Sequence, residues 1–372
     1  MIIQSKRIWI DDLFISGQIV LEDGFIKSIL PYGTHKVDLD FGKKRIVPGF
    51  LDLHTHGSYG YDTWSGTDVE LAKWLNHLPS EGVTGICATI MTPKDDVMVS
   101  ALSAIRDCKA NRKTGTEILG IHIEGTCIQH HADCDDAIEN FQRYQTIADN
   151  LIQIVTIDPE KDKLFALTNH CASQGVCVSL GHCSPSYDTA VLAYANGANG
   201  ITHVFNGMGV MNPRKQGLIN IALQMDHFYG EIICDGKDVT MDLYQLYFKT
   251  KKDYAIMITD SYAMKGLPSG SEMEFMGMHL YVADDGCVRN KDTGMYAGPC
   301  LKMNEQLRLL VEDASIPWNL AIQSCTINPA SYLKIADHKG RICTGYDADL
   351  VVLDDDYSIV STFVQGERCF QK

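Results

Sequence analysis

Two rhythms of apolar and polar positions alternate along the chain. In residues 1–47, short apolar stretches such as "IIQSKRIWI" and "FISGQIVLEDGFIKSIL" are broken by turn residues, and the Glu-Asp-Gly in the second predicts a tight reversal. Residues 341–372 return to the same manner in "GRICTGYDADLVVLDDDYSIVSTFVQGERCF". This is all-β character at both ends, and the two ends are expected to form one small β-sandwich domain together.

The middle, residues 48–340, reads differently. Near-continuously apolar strands, as expected when both faces are buried, alternate with amphipathic helical stretches such as "TDVELAKWLNHLPSEG" and "DDVMVSALSAIRDCKAN". The strand candidates are "GFLDLHTH", "TGICATIM", "EILGIHIEG", "LIQIVTID", "GVCVSLGH", "GITHVFN", "GEIICDG" and "YAIMITD". Eight alternating units predict an α/β fold of the (β/α)8 TIM-barrel type. A doubly wound open sheet is the alternative, but no G-x-G-x-x-G follows the first strand. Residues 266–299 interrupt the rhythm after strand eight and predict a hairpin turning at Asp285-Gly286, a candidate lid.

Charge and cysteine content narrow the function classes. A net charge of −15, from 47 acidic against 32 basic residues, disfavours nucleic acid or an anionic membrane as partner. No apolar run reaches the roughly 20 residues that span a bilayer, and no secretory h-region follows the charged N-terminus. The 13 cysteines include no C-x-x-C pair and sit in apolar runs such as "GICATI" and "GVCVSLGH", where a thiol acts as a small hydrophobe. The expectation is a soluble protein of the reducing cytoplasm.

In a barrel of this kind, chemistry sits at the C-terminal ends of the strands. Strand one ends in His54 and His56, spaced so that both imidazoles share a face of the extended chain. Strand three ends in Glu124, strand five in His182, strand six in His203 and strand eight in Asp260. Singly, each has an ordinary structural role open to it: a helix cap, a loop histidine, a core histidine. Together on one rim they are the residue types that bind zinc or a similar divalent ion while leaving a position open for water.

"PGFLDLHTHGSYGYD", "GIHIEG", "SLGH", "THVFNGM", "MITD" and "GYDADLVVLD" together resemble the amidohydrolase superfamily, and within it the N-acetylglucosamine-6-phosphate deacetylase family. "PGFLDLHTHG" is shared by many amidohydrolases, whereas "THVFNGM" followed by "NPRKQG" and "CDG" lies much closer to the deacetylases. The resemblance covers nearly the whole chain. It implies a metal-dependent barrel with a small terminal β-domain, a homodimer, and a small amino sugar as substrate. It also implies roles: Glu124, His182 and His203 as principal metal ligands, His54 and His56 as a pair for a second ion, and Asp260 as catalytic acid/base. Asn206, the Gly207 amide and Arg214 match positions that contact the sugar phosphate. The metal is expected to be zinc, with iron, manganese or cobalt as alternatives, one or two per chain.

Two stretches depart from the family. After Glu124 the chain reads "EGTCIQHHADCDD", without the family's Gly-Pro-aromatic, so that only His130 or His131 stands in for the histidine that polarises the substrate carbonyl. The family's "DG-x-His" reads "DGKDV", which places Asp238 where a histidine meets the phosphate and leaves Lys237 as the nearby cation. The expected reaction is metal-assisted hydrolysis of an N-acetylhexosamine 6-phosphate, with Glu124 as the bridge if two ions bind, since strand four ends in "VTID" without a lysine. The competing readings are a deacetylase of a different or unphosphorylated amino sugar, a cyclic-amide hydrolase like the dihydroorotases, and an inactive barrel kept as a binding protein.

Overall fold

The computed structural model describes residues 1–92, 94–127, 136–275 and 277–372, with the side chains of Thr126 and Cys127 left aside. Eight parallel strands follow one another around a single sheet: Phe50–Thr55, Val83–Ile90, Glu117–Cys127, Ile152–Ile157, Cys177–Leu180, Gly200–Ile201, Tyr229–Ile233 and Ala255–Ile258. All eight candidate strands are present, and the order in space is the order in sequence. A parallel bridge between Thr55 and Ser261 joins the last strand to the first, so the sheet closes as a barrel and the open alternative is excluded. Strand six is shorter than its apolar run suggested: it ends at Ile201, and His203 lies in a bend where its φ is 29°. The Val204 N–H still donates to the Glu231 carbonyl at 2.7 Å, which ties this bend to strand seven.

Helices on the outside follow the amphipathic stretches. Asp68–His77 starts at Thr67, whose Oγ1 accepts from the Glu70 N–H while Glu70 accepts from the Thr67 N–H, a reciprocal cap that fixes the first turn. The face carrying Leu71, Trp74 and Leu75 is buried against the barrel.

Both chain ends build one further sheet. Its order runs Glu367–Gln371, Ile359–Val364, Leu350–Leu353, Arg45–Pro48, Ile2–Ile10, Leu13–Glu22 and Phe25–Pro31, with the short strand Leu39–Asp40 also on Ile2–Ile10. The two expected layers are thus one continuous sheet, folded over a core that includes Ile3, Ile19, Ile46, Leu350 and Phe363. A buried cation fastens this domain to the barrel: Lys339 Nζ lies 2.9 Å from Glu117 of strand three and 2.7 and 2.8 Å from Asp347 and Asp349.

After strand eight, Glu272–Phe275, Met278–Val282 and Val288–Asn290 form a small antiparallel sheet whose second turn contains Asp285-Gly286. Among the described residues no helix is long and apolar enough to cross a membrane. None of the described cysteines is in a disulfide.

Candidate metal centre and active site

Period-two alternation puts Asp52, His54 and His56 on one face of the first strand, and His122 and Glu124 on one face of the third. All five are buried inside the barrel mouth. The turn after His56 is tight: a Cβ at Gly57 would lie 2.1 Å from the Tyr61 carbonyl oxygen, so only glycine fits. His182, His203 and Asp260 all have positive φ, at 51°, 29° and 46°. Non-glycine residues rarely adopt this region, and here it swings each side chain inward as its strand ends.

Glu124 is the centre of the arrangement, and its two oxygens face different partners. Oε1 lies 2.6 Å from His182 Nε2 and 3.1 Å from His203 Nε2, and these two nitrogens are 3.0 Å apart. Oε2 lies 3.3 Å from His54 Nε2 and 3.1 Å from His56 Nε2. Asp260 Oδ1 closes the second group at 3.3 and 3.4 Å from the same two nitrogens, and makes no aligned hydrogen bond among the described residues. Neutral imidazole nitrogens with lone pairs facing one another repel; a shared cation is what such a donor set accommodates. Among the described residues, three histidine–carboxylate groups therefore fit a metal by donor chemistry: Glu124, His182 and His203; His54, His56 and Asp260; and, deeper, His54, His122 and Glu231.

The electrostatics of the cluster reflect dense opposite charge. Burial opposes a charged His54, but the carboxylates of Asp260, Glu124 and Glu231 override it and hold its pKa well above the ordinary histidine value. Burial likewise pushes Glu124 and Asp260 up, and the His54 charge reverses this, leaving both below the carboxylate range. His122, buried and beside His54, stays far on the neutral side.

Of the other sequence candidates, Asn206 borders the cluster: its carbonyl accepts from His203 Nδ1 at 3.2 Å, and its buried Nδ2 has no hydrogen-bond partner among the described residues. Gly207 has a φ of 58° and abuts His182, 3.4 Å from its Nδ1 were a Cβ present. Arg214 sits in an exposed loop, 209–216, and is not brought into the cluster. Lys237 is exposed in the loop after strand seven. His130 and His131 lie outside the described residues.

Several partners of the site were not singled out from sequence. The signal for Asp52, His122 and Glu231 is a polar residue inside an apolar strand, which does not tell which face of the strand it occupies. Tyr262, stacked on His56 at 5.2 Å, carries no such signal. Neither does Tyr296, whose hydroxyl donates to Asp235 beside Asp238. Phe275 of the small sheet packs on Tyr262 and Trp64, at 4.9 and 5.1 Å, so this sheet walls one side of the rim.

Known proteins are similar over the full length. A family model described as the Amidohydrolase family matches residues 233–369. The N-acetylglucosamine-6-phosphate deacetylase of Bacillus subtilis (strain 168) is 34% identical over 381 residues, covering 97% of this chain and 94% of its own. An N-acetylgalactosamine-6-phosphate deacetylase of Escherichia coli O157:H7 is 27% identical, covering 96% and 95%. A mutant N-acetyl-D-glucosamine-6-phosphate deacetylase of Mycobacterium smegmatis, solved in complex with N-acetyl-D-glucosamine-6-phosphate, superposes with a TM-score of 0.90 at 26% identity, covering 100% of this chain and 99% of that one.

Proposed function

The chain belongs to the N-acetylglucosamine-6-phosphate deacetylase family of amidohydrolases, and from that premise we propose how its rim performs the reaction. It is a metal-dependent hydrolase that cleaves the acetamide of N-acetylglucosamine 6-phosphate to acetate and the amino sugar phosphate. The observation that carries the assignment of roles is the divided Glu124 carboxylate, one oxygen on each histidine pair, with Asp260 across from it.

Glu124, His182 and His203 would hold the principal ion, and His54 and His56 a second, with Glu124 shared. When bound, a divalent ion supplies Lewis acidity, polarising the acetyl carbonyl and lowering the pKa of water toward about 7. Asp260, a carboxylate held among the opposite charge of the site, takes the proton of the attacking water at Oδ1 and delivers it to the departing amine nitrogen. Asn206 Nδ2, without a partner among the described residues, donates to the sugar or its phosphate, and Arg214 supplies a guanidinium fork from its loop. We assign zinc to the site, a homodimer to the assembly, the cytoplasm as location, and a lid role to the small sheet at 272–290.

Asp238 favours a second reading of the substrate. Its carboxyl stands where the family places a phosphate-contacting histidine, and a like charge at about 4 Å costs on the order of 1–4 kcal/mol between water and an effective dielectric of 20. An unphosphorylated amino sugar avoids that cost. Acetate release from N-acetylglucosamine and N-acetylgalactosamine, each with and without the 6-phosphate, separates the readings. A kcat/KM highest for the 6-phosphate supports the first; preference for the plain sugars overturns it.

A further inference from the structure

Strand seven carries a charged residue where its neighbours are apolar: Glu231, in "YGEIICDG", is 2% exposed and points into the barrel beneath the rim. Its Oε2 accepts a hydrogen bond from His54 Nδ1 at 2.9 Å and a longer one from the His203 backbone N–H at 3.4 Å. Its other oxygen, Oε1, has no hydrogen-bond partner among the described residues, and neither has the buried Nδ1 of His122. One ligand atom each of His54, His122 and Glu231 lies within 4.8 Å of the others. The His122 Nε2 in turn is 2.7 Å from Thr156 Oγ1, which continues to Thr202 at 2.8 Å and Ser179 at 2.7 Å.

An imidazole has two nitrogens, and a bond at one fixes what the other offers. With Nδ1–H given to Glu231, Nε2 is the nitrogen of His54 that faces His56, Asp260 and Glu124 Oε2, and it is the one that offers a lone pair once an ion takes the place of its proton. A buried carboxylate also raises the basicity of that lone pair. Among the described residues neither His182 nor His203 has a carboxylate on Nδ1; that of His203 gives its N–H to the Asn206 carbonyl.

We propose that Glu231 is a positioning residue that sets the tautomer and orientation of His54, and so decides whether the second ion is held beside the first. The carboxylate acts through His54 and does not touch substrate. The proposal rests on the metal-site reading above and goes beyond it by making the two sites separable through one residue outside both ligand sets.

The test is metal titration of the purified full-length protein, stripped with chelator and reloaded with zinc, read by elemental analysis and binding isotherm. Wild type is expected to bind two ions per chain. Glu231→Leu, close in size and unable to accept, is expected to keep the tight ion and weaken the second by about 10–100-fold, the usual cost of losing such a partner. Glu231→Gln retains an acceptor oxygen and is expected to recover most of that loss. Retention of the tight ion reports that the barrel is folded. Two ions bound with wild-type affinity in Glu231→Leu would overturn the proposal, as would equal weakening of both ions in a folded Glu231→Gln. Acetate release by wild type is measured separately, so a failure of the deacetylase reading leaves the metal result distinguishable.

Discussion

Asp260 keeps its carboxylate against His54 and His56 and, among the described residues, leaves Oδ1 without an aligned hydrogen bond, the state a proton acceptor needs before substrate arrives. Asp260→Asn preserves shape and removes basicity, so kcat is expected to fall by about 100-fold to 10,000-fold with zinc content and melting temperature nearly unchanged. A variant within threefold of wild type would assign the proton to another group. Asp238 is a second case in which a single titration is decisive. Burial, and then the neighbouring Asp235 charge, push its carboxyl up to about 7. It is therefore mainly neutral below pH 7 and anionic above, so repulsion of a sugar phosphate switches on as pH rises through that value. KM for the 6-phosphate is expected to climb between pH 6 and 8 in wild type and less so in Asp238→Asn. Parallel KM profiles in the two proteins would show that this carboxyl does not face the phosphate.

Loops, not strands, decide where these residues end up, and the loop after strand eight is anchored from below. Lys265 and Glu81 form a fully buried ion pair at 2.8 Å, and Glu81 also accepts from the Tyr59 hydroxyl at 2.6 Å. The Tyr59 N–H donates to the Lys265 carbonyl, so the loops after strands one and eight are locked as a unit under His56 and Asp260. Lys265→Met leaves Glu81 buried and unpaired, which is expected to cost about 3–5 kcal/mol in chemical denaturation. A loss under 1 kcal/mol would mean that Glu81 takes up a proton or gains water at little cost. The strands themselves were legible because elements buried on both faces must be continuous apolar runs. Six rim residues were legible because polar groups ending such runs have few other reasons to be there. The layer beneath was not: Asp52, His122 and Glu231 sit in runs whose period-two face becomes known only when the barrel closes. Contacts between distant segments, such as Tyr296 on Asp235, depend on loop paths that no local pattern encodes.

At the scale of the molecule, Lys339 is the point where the terminal domain meets the barrel. Its ammonium is shared by Glu117, Asp347 and Asp349, with 4% of the side chain exposed. Its removal strands three carboxylates around an uncharged side chain. Lys339→Met is expected to turn a single calorimetric unfolding transition into two, the terminal sheet melting first. One unchanged transition would show that apolar packing alone couples the domains.

The strand Arg45–Pro48 is flanked by Ile2–Ile10 on one side and by Leu350–Leu353 on the other. During synthesis the first neighbour emerges at once and the second only after the whole barrel has been made. At roughly 5–20 residues per second, about 300 intervening residues leave that edge unpaired for on the order of 15–60 s. The nascent chain thus carries an open β-edge for most of its time on the ribosome, the kind of edge on which chains pair with one another. Yield from a cell then depends on how crowded such chains are and on chaperone supply, quantities that the stability of the finished fold does not report.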